Sequence, residues 1–323
     1  MSNSSSPLLE VKKLKKYFKT PKGMLHAVDD VSFTIDRGRT LGVVGESGCG
    51  KSTTGRAILR IVEPTEGEIL FDGEDIRSLG KDQMRRMRTR MQIIFQDPFS
   101  SLNPRKTVSE TIAEPLKLNG IITDKGKRME RVAEIMEIVG LAERLYNAYP
   151  HELDGGRRQR IGIARALAVE PEFVICDEPI SALDVSIQSQ IINLLSDLKE
   201  QQNLTYLFIT HDLSVVRYIS DRIGVMYLGN MVEQAESQEL FDHPLHPYTE
   251  ALLGAIPTTN VDDDRELVIL EGDIPSPVNP PKGCKFHTRC KYCTDICKMV
   301  TPEMEEVRPN HFVACHHILK DNL

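Results

Sequence analysis

Apolar and polar positions alternate at strand spacing near the start of the chain. Leu8 to Val11, Ala27 to Ile35 and Thr40 to Val44 read as strands. Residues 67–71 (Gly-Glu-Ile-Leu-Phe) and 91–95 (Met-Gln-Ile-Ile-Phe) read as two more. Asp97 to Lys106, with prolines at 98 and 104, reads as a polar loop. The period then changes. From Lys127 to Leu141 the apolar Met129, Val132, Met136 and Val139 recur three or four residues apart, one face of an amphipathic helix. Ile187, Ile191, Leu194, Leu195 and Leu198 mark a second such helix. Phe173 to Cys176, Leu204 to Ile209 and Ile223 to Tyr227 are short apolar runs suited to buried strands. Strands alternating with helices predict an α/β fold with a largely parallel sheet.

Near Pro244 to Pro257 the composition changes. Beyond it come Pro275, Pro277, Pro280, Pro281, Pro302 and Pro309 and five of the seven cysteines, which puts a domain boundary near residue 255. A length of 323 residues accommodates one large domain and a smaller one. The net charge of −7 argues against general nucleic-acid binding. Two basic runs, Lys12, Lys13, Lys15, Lys16 and Arg85, Arg86, Arg88, Arg90, read as solvated faces. No apolar run is long enough to span a bilayer, and the serine-rich start, Met1 to Pro7, lacks the apolar core of a secretory signal. The expectation is a cytosolic chain whose cysteines are reduced thiols or metal ligands.

Candidate chemistry begins at residue 45. Gly45-Glu46-Ser47-Gly48-Cys49-Gly50-Lys51-Ser52, followed by Thr53, lies between an apolar strand and a helix-like run. Glycines there let backbone N–H groups turn around an anion, and the helix start adds partial positive charge. Lys51 is placed to reach the β- and γ-phosphates, and the Ser52 hydroxyl to ligate Mg²⁺. A second acidic element is Phe173-Val174-Ile175-Cys176-Asp177-Glu178. Asp177 suits Mg²⁺, and Glu178 suits a base that polarises the attacking water. Between these stretches Gly155 and Gly156 open a further helix-like run, a second potential anion site.

Taken together these motifs resemble the ATPases of ATP-binding cassette (ABC) transporters. The resemblance implies a P-loop NTPase (RecA-like) α/β core with an inserted helical subdomain at about 97–165, within a nucleotide-binding domain at 1–255. It aligns Leu153-Asp154-Gly155-Gly156-Arg157 with the family's Leu-Ser-Gly-Gly-Gln signature and Gln96 with its Q-loop glutamine, a Mg²⁺ and catalytic contact. Ser181-Ala182-Leu183-Asp184 resembles the D-loop, and His211 the switch histidine beside the γ-phosphate. Phe18, or its neighbour Tyr17, resembles the aromatic that stacks on adenine; Phe18 is preferred because an apolar face suffices for stacking. One departure stands out. Asp154 and Arg157 replace the signature Ser and Gln. In the family two ATPase domains close head to tail, so the signature serine meets the γ-phosphate of the other chain. A carboxylate there repels it by roughly 4 kcal/mol at 4 Å and an effective dielectric near 20. Asp154 also suits simple N-capping, and Arg157 partly offsets its charge.

Cys284, Cys290, Cys297 and Cys315, with Cys293 as an extra thiol, suit a tetrahedral soft-metal site or an iron–sulfur cluster, and the spacing leaves the metal open. Gly283-Cys284-Lys285-Phe286-His287-Thr288-Arg289-Cys290 and Val313-Ala314-Cys315 resemble the tail of oligopeptide/dipeptide importer ATPases, as does the link His243-Pro244-Leu245-His246-Pro247-Tyr248-Thr249. Some members of that group carry a [4Fe–4S] cluster on these cysteines; zinc and plain thiols are the alternatives. Residues 256–323 are then a C-terminal extension. The Q-loop stretch Gln96 to Arg105 also resembles this group, which implies an F-type ATPase subunit driven by ATP and Mg²⁺. Implied partners are a paralogous ATPase subunit, two transmembrane permease subunits met through the Gln96–Arg105 groove, and an extracytoplasmic solute-binding protein, with no nucleic acid. The implied place is the cytoplasmic face of a bacterial membrane. Competing readings are an importer for nickel, short glycans or glutathione, a non-transport cassette ATPase, and a redox or metal sensor.

Overall fold

The computed structural model describes residues 6–256, 270 and 272–319. The strands are β1 (Leu9–Thr20), β2 (Gly23–Ile35), β3 (Thr40–Val44), β4 (Glu66–Phe71), β5 (Glu74–Asp75), β6 (Met91–Ile94), β7 (Phe173–Asp177), β8 (Thr205–Ile209), β9 (Arg222–Tyr227), β10 (Asn230–Glu236), β11 (Glu305–Arg308) and β12 (His311–Val313). The helices are α1 (Lys51–Ile58), α2 (Lys81–Arg90), α3 (Pro98–Ser101), α4 (Val108–Leu118), α5 (Lys125–Ile138), α6 (Gly155–Leu167), α7 (Val185–Gln202), α8 (Leu213–Ile219), α9 (Ser237–Asp242), α10 (Pro247–Gly254) and α11 (Asp295–Met299). They fall into two compact units, one of residues 1–35, 40–73 and 210–323, the other of 36–39 and 74–209.

In the first unit β1 pairs antiparallel with both β2 and β4. A second sheet runs β11-β12-β10-β9-β3, with β3 parallel to β9 and the other pairs antiparallel. Its core gathers Val44, Val216, Ile223, Val225, Tyr227, Tyr248 and Phe286. Phe286 comes from the cysteine-containing tail, so residues beyond the expected boundary share this unit's core. Glu233 of β10 fastens the link to it. Fully buried, its carboxylate accepts the N–H groups of Leu245 (2.7 Å) and His246 (3.0 Å) and meets His311 Nε2 at 2.8 Å. The predicted boundary near 255 falls at the end of α10; residues 257–269, just beyond it, lie outside the described residues.

In the second unit β6, β7 and β8 are parallel, and β7 and β8 are buried along their whole length. The helix expected over 127–141 is α5, with Val132, Ile135 and Met136 buried. Two readings change. Asp97 to Lys106 is not all loop: the Asp97 carboxylate accepts the Phe99 N–H at 2.7 Å and Pro98 pre-sets the first turn, so α3 forms. The strand expected over Leu8 to Val11 continues to Thr20, because irregularities after Val11 and Leu14 break the two-residue period that marks a strand in sequence.

Candidate nucleotide-binding site

In the first unit the glycine loop joins β3 to α1. Gly50 occupies the N-cap of α1 at φ 107°, and no side chain caps the helix. A Cβ at Gly50 would overlap the carbonyl oxygen of Ala27, so only glycine fits. The uncapped start presents N–H groups and the positive end of the helix dipole, the requirement for a phosphate. Lys51 is buried, and its ammonium donates back to the carbonyls of Gly45 (2.7 Å) and Glu46 (3.1 Å). Ser52 and Thr53 occupy the first turn of α1. Cys49 is buried beside Lys51, 3.8 Å from its Nζ; burial pushes the thiol pKa up against the pull of that ammonium.

His211 is exposed. The preceding Thr210 donates its N–H to Val43 O at 3.2 Å, two residues before the glycine loop. The following Asp212 caps α8 through Ser214 N and Val215 N. Tyr17 and Phe18 stand in different surroundings. The Tyr17 hydroxyl is engaged by Asp29, and its ring lies 4.2 Å from that of His26. Phe18 is exposed, with Lys16 Nζ 4.7 Å from the ring centre.

The second unit holds the acidic strand end. Asp177 is fully buried at the end of β7. Glu178 follows in a left-handed conformation, φ 47°. A non-glycine residue held there costs about 1–2 kcal/mol, and three backbone contacts hold it. Its N–H donates to Ile209 O at 2.9 Å, and its carbonyl accepts from Ser181 N (3.3 Å) and Ser181 Oγ (3.1 Å). Gln96 Nε2 donates to Glu178 Oε2 at 3.0 Å, bringing together two sequence-predicted residues. Asp154 caps α6: its Oδ1 accepts the Arg157 N–H at 2.8 Å, and Arg157 Nε lies 3.5 Å from Oδ2. Gly155 and Gly156 sit where α6 meets the stretch containing Asp184, the N-cap of α7. A Cβ on Gly156 would come within 2.7 Å of Ile187 Cγ2.

In the tail, Cys284, Cys290, Cys297 and Cys315 line one small recess with Phe286, His246, His287, Tyr292, His316 and His317, and Cys293 is not among the lining residues. Burial is the main cause that pushes the Cys284, Cys290 and Cys315 thiols up, Cys290 to about 11 and Cys315 to about 12, and neighbouring thiols of the group add to it. Among the described residues no three His, Cys, Asp or Glu side chains stand in the arrangement of a metal site.

Two residues with no role assigned from sequence complete the loop's surroundings. Arg289 forms a bidentate pair with Glu46, NH1 to Oε2 at 2.7 Å and NH2 to Oε1 at 3.1 Å. Tyr248 Oη accepts the Glu46 N–H at 3.0 Å. No periodicity or short motif links positions so far apart in the chain.

A glycine loop feeding a helix and a parallel strand ending in two carboxylates define a P-loop ATPase. The chain matches the ABC transporter family over residues 28–181 and the oligopeptide/dipeptide transporter C-terminal region over 232–297. It is 54% identical to the oligopeptide transport ATP-binding protein AppF of Bacillus subtilis over 319 residues, 96% of this chain and 97% of that protein. A putative peptide import ATP-binding protein of Brucella ovis is 53% identical, over 99% of this chain and 100% of that one. Among solved structures, the ATP-binding cassette MJ0796, a dimer in a post-hydrolysis state bound to ADP and Pi, superposes with a TM-score of 0.66 at 31% identity, covering 71% of this chain and 98% of that one. CbiO1 of Clostridium perfringens gives 0.65 at 28% identity, covering 73% and 91%. The chain therefore belongs to the ABC transporter ATP-binding family, in its oligopeptide/dipeptide branch, and is an ATPase.

Proposed function

We propose that this chain is the ATP-hydrolysing subunit that powers oligopeptide or dipeptide import through separate membrane permease subunits. The observation that carries this reading is the 54% identity to an oligopeptide transport ATP-binding protein across 96% of the chain, tail included. Among the described residues no helix is long and apolar enough to cross a membrane, which suits a peripheral subunit on the cytoplasmic face. The expected assembly has a paralogous ATPase subunit, two permeases and an extracytoplasmic solute-binding protein. The test is uptake of labelled oligopeptides by cells carrying wild-type or Lys51→Ala protein. Uptake lost in the variant supports the reading; peptide uptake unchanged, with nickel, glycan or glutathione uptake lost instead, refutes it.

Within this reading, residues 1–255 form the cassette, with its helical subdomain at about 97–165, and 256–323 the extension. The loop Gly45–Thr53 cradles the phosphates with Lys51, and Phe18 stacks on adenine. Ser52, Asp177 and Gln96 would hold Mg²⁺, which neutralises phosphate charge. Glu178 takes the proton of the attacking water, in a position fixed by Gln96 and its backbone bonds. His211 contacts the γ-phosphate. Asp154, Gly155, Gly156 and Asp184 would face the partner chain's nucleotide, where the Asp154 carboxylate weakens that second site. Asp154→Ser in the assembled complex should then raise turnover; unchanged turnover would contradict the weakened site.

The sulfur chemistry of the tail suits a [4Fe–4S] cluster, although the described residues do not stand in the arrangement of a metal site. The four cysteines share one recess, Cys293 stands outside it, and four sulfur ligands suit a soft-metal centre. Cys284, Cys290, Cys297 and Cys315 would hold the cluster, which would cross-link distant tail segments and supply a one-electron centre. Anaerobically purified protein should contain iron and sulfide. Zinc without iron would rule the cluster out.

A further inference from the structure

The Glu46–Arg289 pair joins residues 243 positions apart, yet lies on the loop that must receive ATP. Glu46 brings a carboxylate to a polyanion site. Its backbone is held at both ends: the N–H by Tyr248 Oη at 3.0 Å, and the carbonyl by Lys51 Nζ at 3.1 Å. Arg289 grips the side chain with two parallel bonds, its own side chain 5% exposed and that of Glu46 24%. Fork-to-carboxylate pairing of this kind fixes direction as well as charge. The clamp has a firm base. Arg289 N–H donates to Phe286 O at 3.0 Å, and Phe286 is buried against Tyr227 and Tyr248, ring centres 5.2 and 5.3 Å away.

We propose that Arg289 is a positioning residue for ATP binding: it neutralises Glu46 and holds the segment of the phosphate loop from which Lys51 is released to the nucleotide. The C-terminal extension is thereby part of the ATP-binding apparatus. This inference rests on the ion pair and its backbone links, and does not depend on what the tail cysteines bind.

Steady-state ATP hydrolysis by the assembled transporter tests it, with Arg289→Ala, Arg289→Lys, Glu46→Gln and the Glu46→Gln/Arg289→Ala double variant. Loss of Arg289 leaves Glu46 unpaired beside the phosphates. Arg289→Ala should therefore raise the KM for ATP about tenfold while kcat changes less than about twofold. Arg289→Lys should restore much of the affinity by keeping the charge. In the Glu46→Gln background the same Arg289→Ala change should raise KM less than about threefold, because no carboxylate needs neutralising. Both Arg289→Ala proteins lose the same packing against the extension, so a folding defect acts in both backgrounds and the charge effect in one. The proposal fails if Arg289→Ala leaves KM unchanged. It fails equally if its penalty is the same size in both backgrounds, or if kcat falls with KM unaltered.

Discussion

Replacing Glu178 by Gln separates catalysis from architecture. The substitution removes one negative charge and keeps the side chain's shape. The backbone bonds to Ile209 O and from Ser181 do not involve the side chain, so the left-handed conformation is retained at the same cost. The bond from Gln96 Nε2 at 3.0 Å survives, because an amide oxygen also accepts. What is lost is the difference between a charged and a neutral acceptor, about 1 kcal/mol in a half-buried position. That shifts the melting temperature by about 1–2 °C in a chain of this size. A positioned general base, by contrast, contributes about 10²–10⁴ in rate, or roughly 3–5 kcal/mol of barrier. Glu178→Gln should therefore keep ATP affinity and nearly all its stability while kcat falls by about 10²–10⁴. The assay is phosphate release by the assembled transporter, alongside equilibrium ATP binding and thermal melting. Turnover within about threefold of wild type, with ATP binding intact, would refute Glu178 as the base.

Gly50→Ala should act on stability first: at φ 107° the added Cβ meets the Ala27 carbonyl, a fixed backbone atom. A loss of about 2–4 kcal/mol in urea unfolding is expected, and a wild-type midpoint would contradict the contact. His246 gives a pH signature. It is buried, its Nδ1 accepts the Tyr248 N–H at 3.0 Å, and burial holds its pKa down to about 3 from 6.5. The unfolded chain binds the extra proton between those values. The stability contributed by neutral His246 is therefore complete above about pH 6.5 and declines as pH falls, by up to about 1.4 kcal/mol per unit. The stability gap between wild type and His246→Gln should narrow from about pH 7.5 to 5.5; a constant gap would show that His246 does not titrate this way.

The chemistry-bearing strand ends were legible in the sequence because their patterns are local. Gly45 to Ser52 carries its own strand and helix, and Asp177 and Glu178 end an apolar run. The amphipathic faces of α5 and α7 were equally plain, since Val132, Met136, Ile191 and Leu195 keep helical spacing and are buried. Local irregularity hid other parts. Bulges in β1 erased its alternation, and a single capped turn hid α3 in a polar run. The long-range contacts were beyond any pattern. Glu233 reads as one more surface acid, yet it is buried against His311 and the N–H groups of Leu245 and His246. Arg289 stands in a tail motif dominated by its cysteines, while its side chain closes on Glu46 of the phosphate loop. The capping bond of Asp154 to the Arg157 N–H followed from residue type alone.

The most direct test is ATP hydrolysis by the complete transporter in proteoliposomes, with its solute-binding protein loaded in turn with oligopeptides, dipeptides, nickel, a short glycan or glutathione. The account predicts that hydrolysis rises with a peptide-loaded receptor, that peptide accumulates inside the vesicles, and that Glu178→Gln abolishes both. Hydrolysis indifferent to peptide but stimulated by another of these solutes would contradict it.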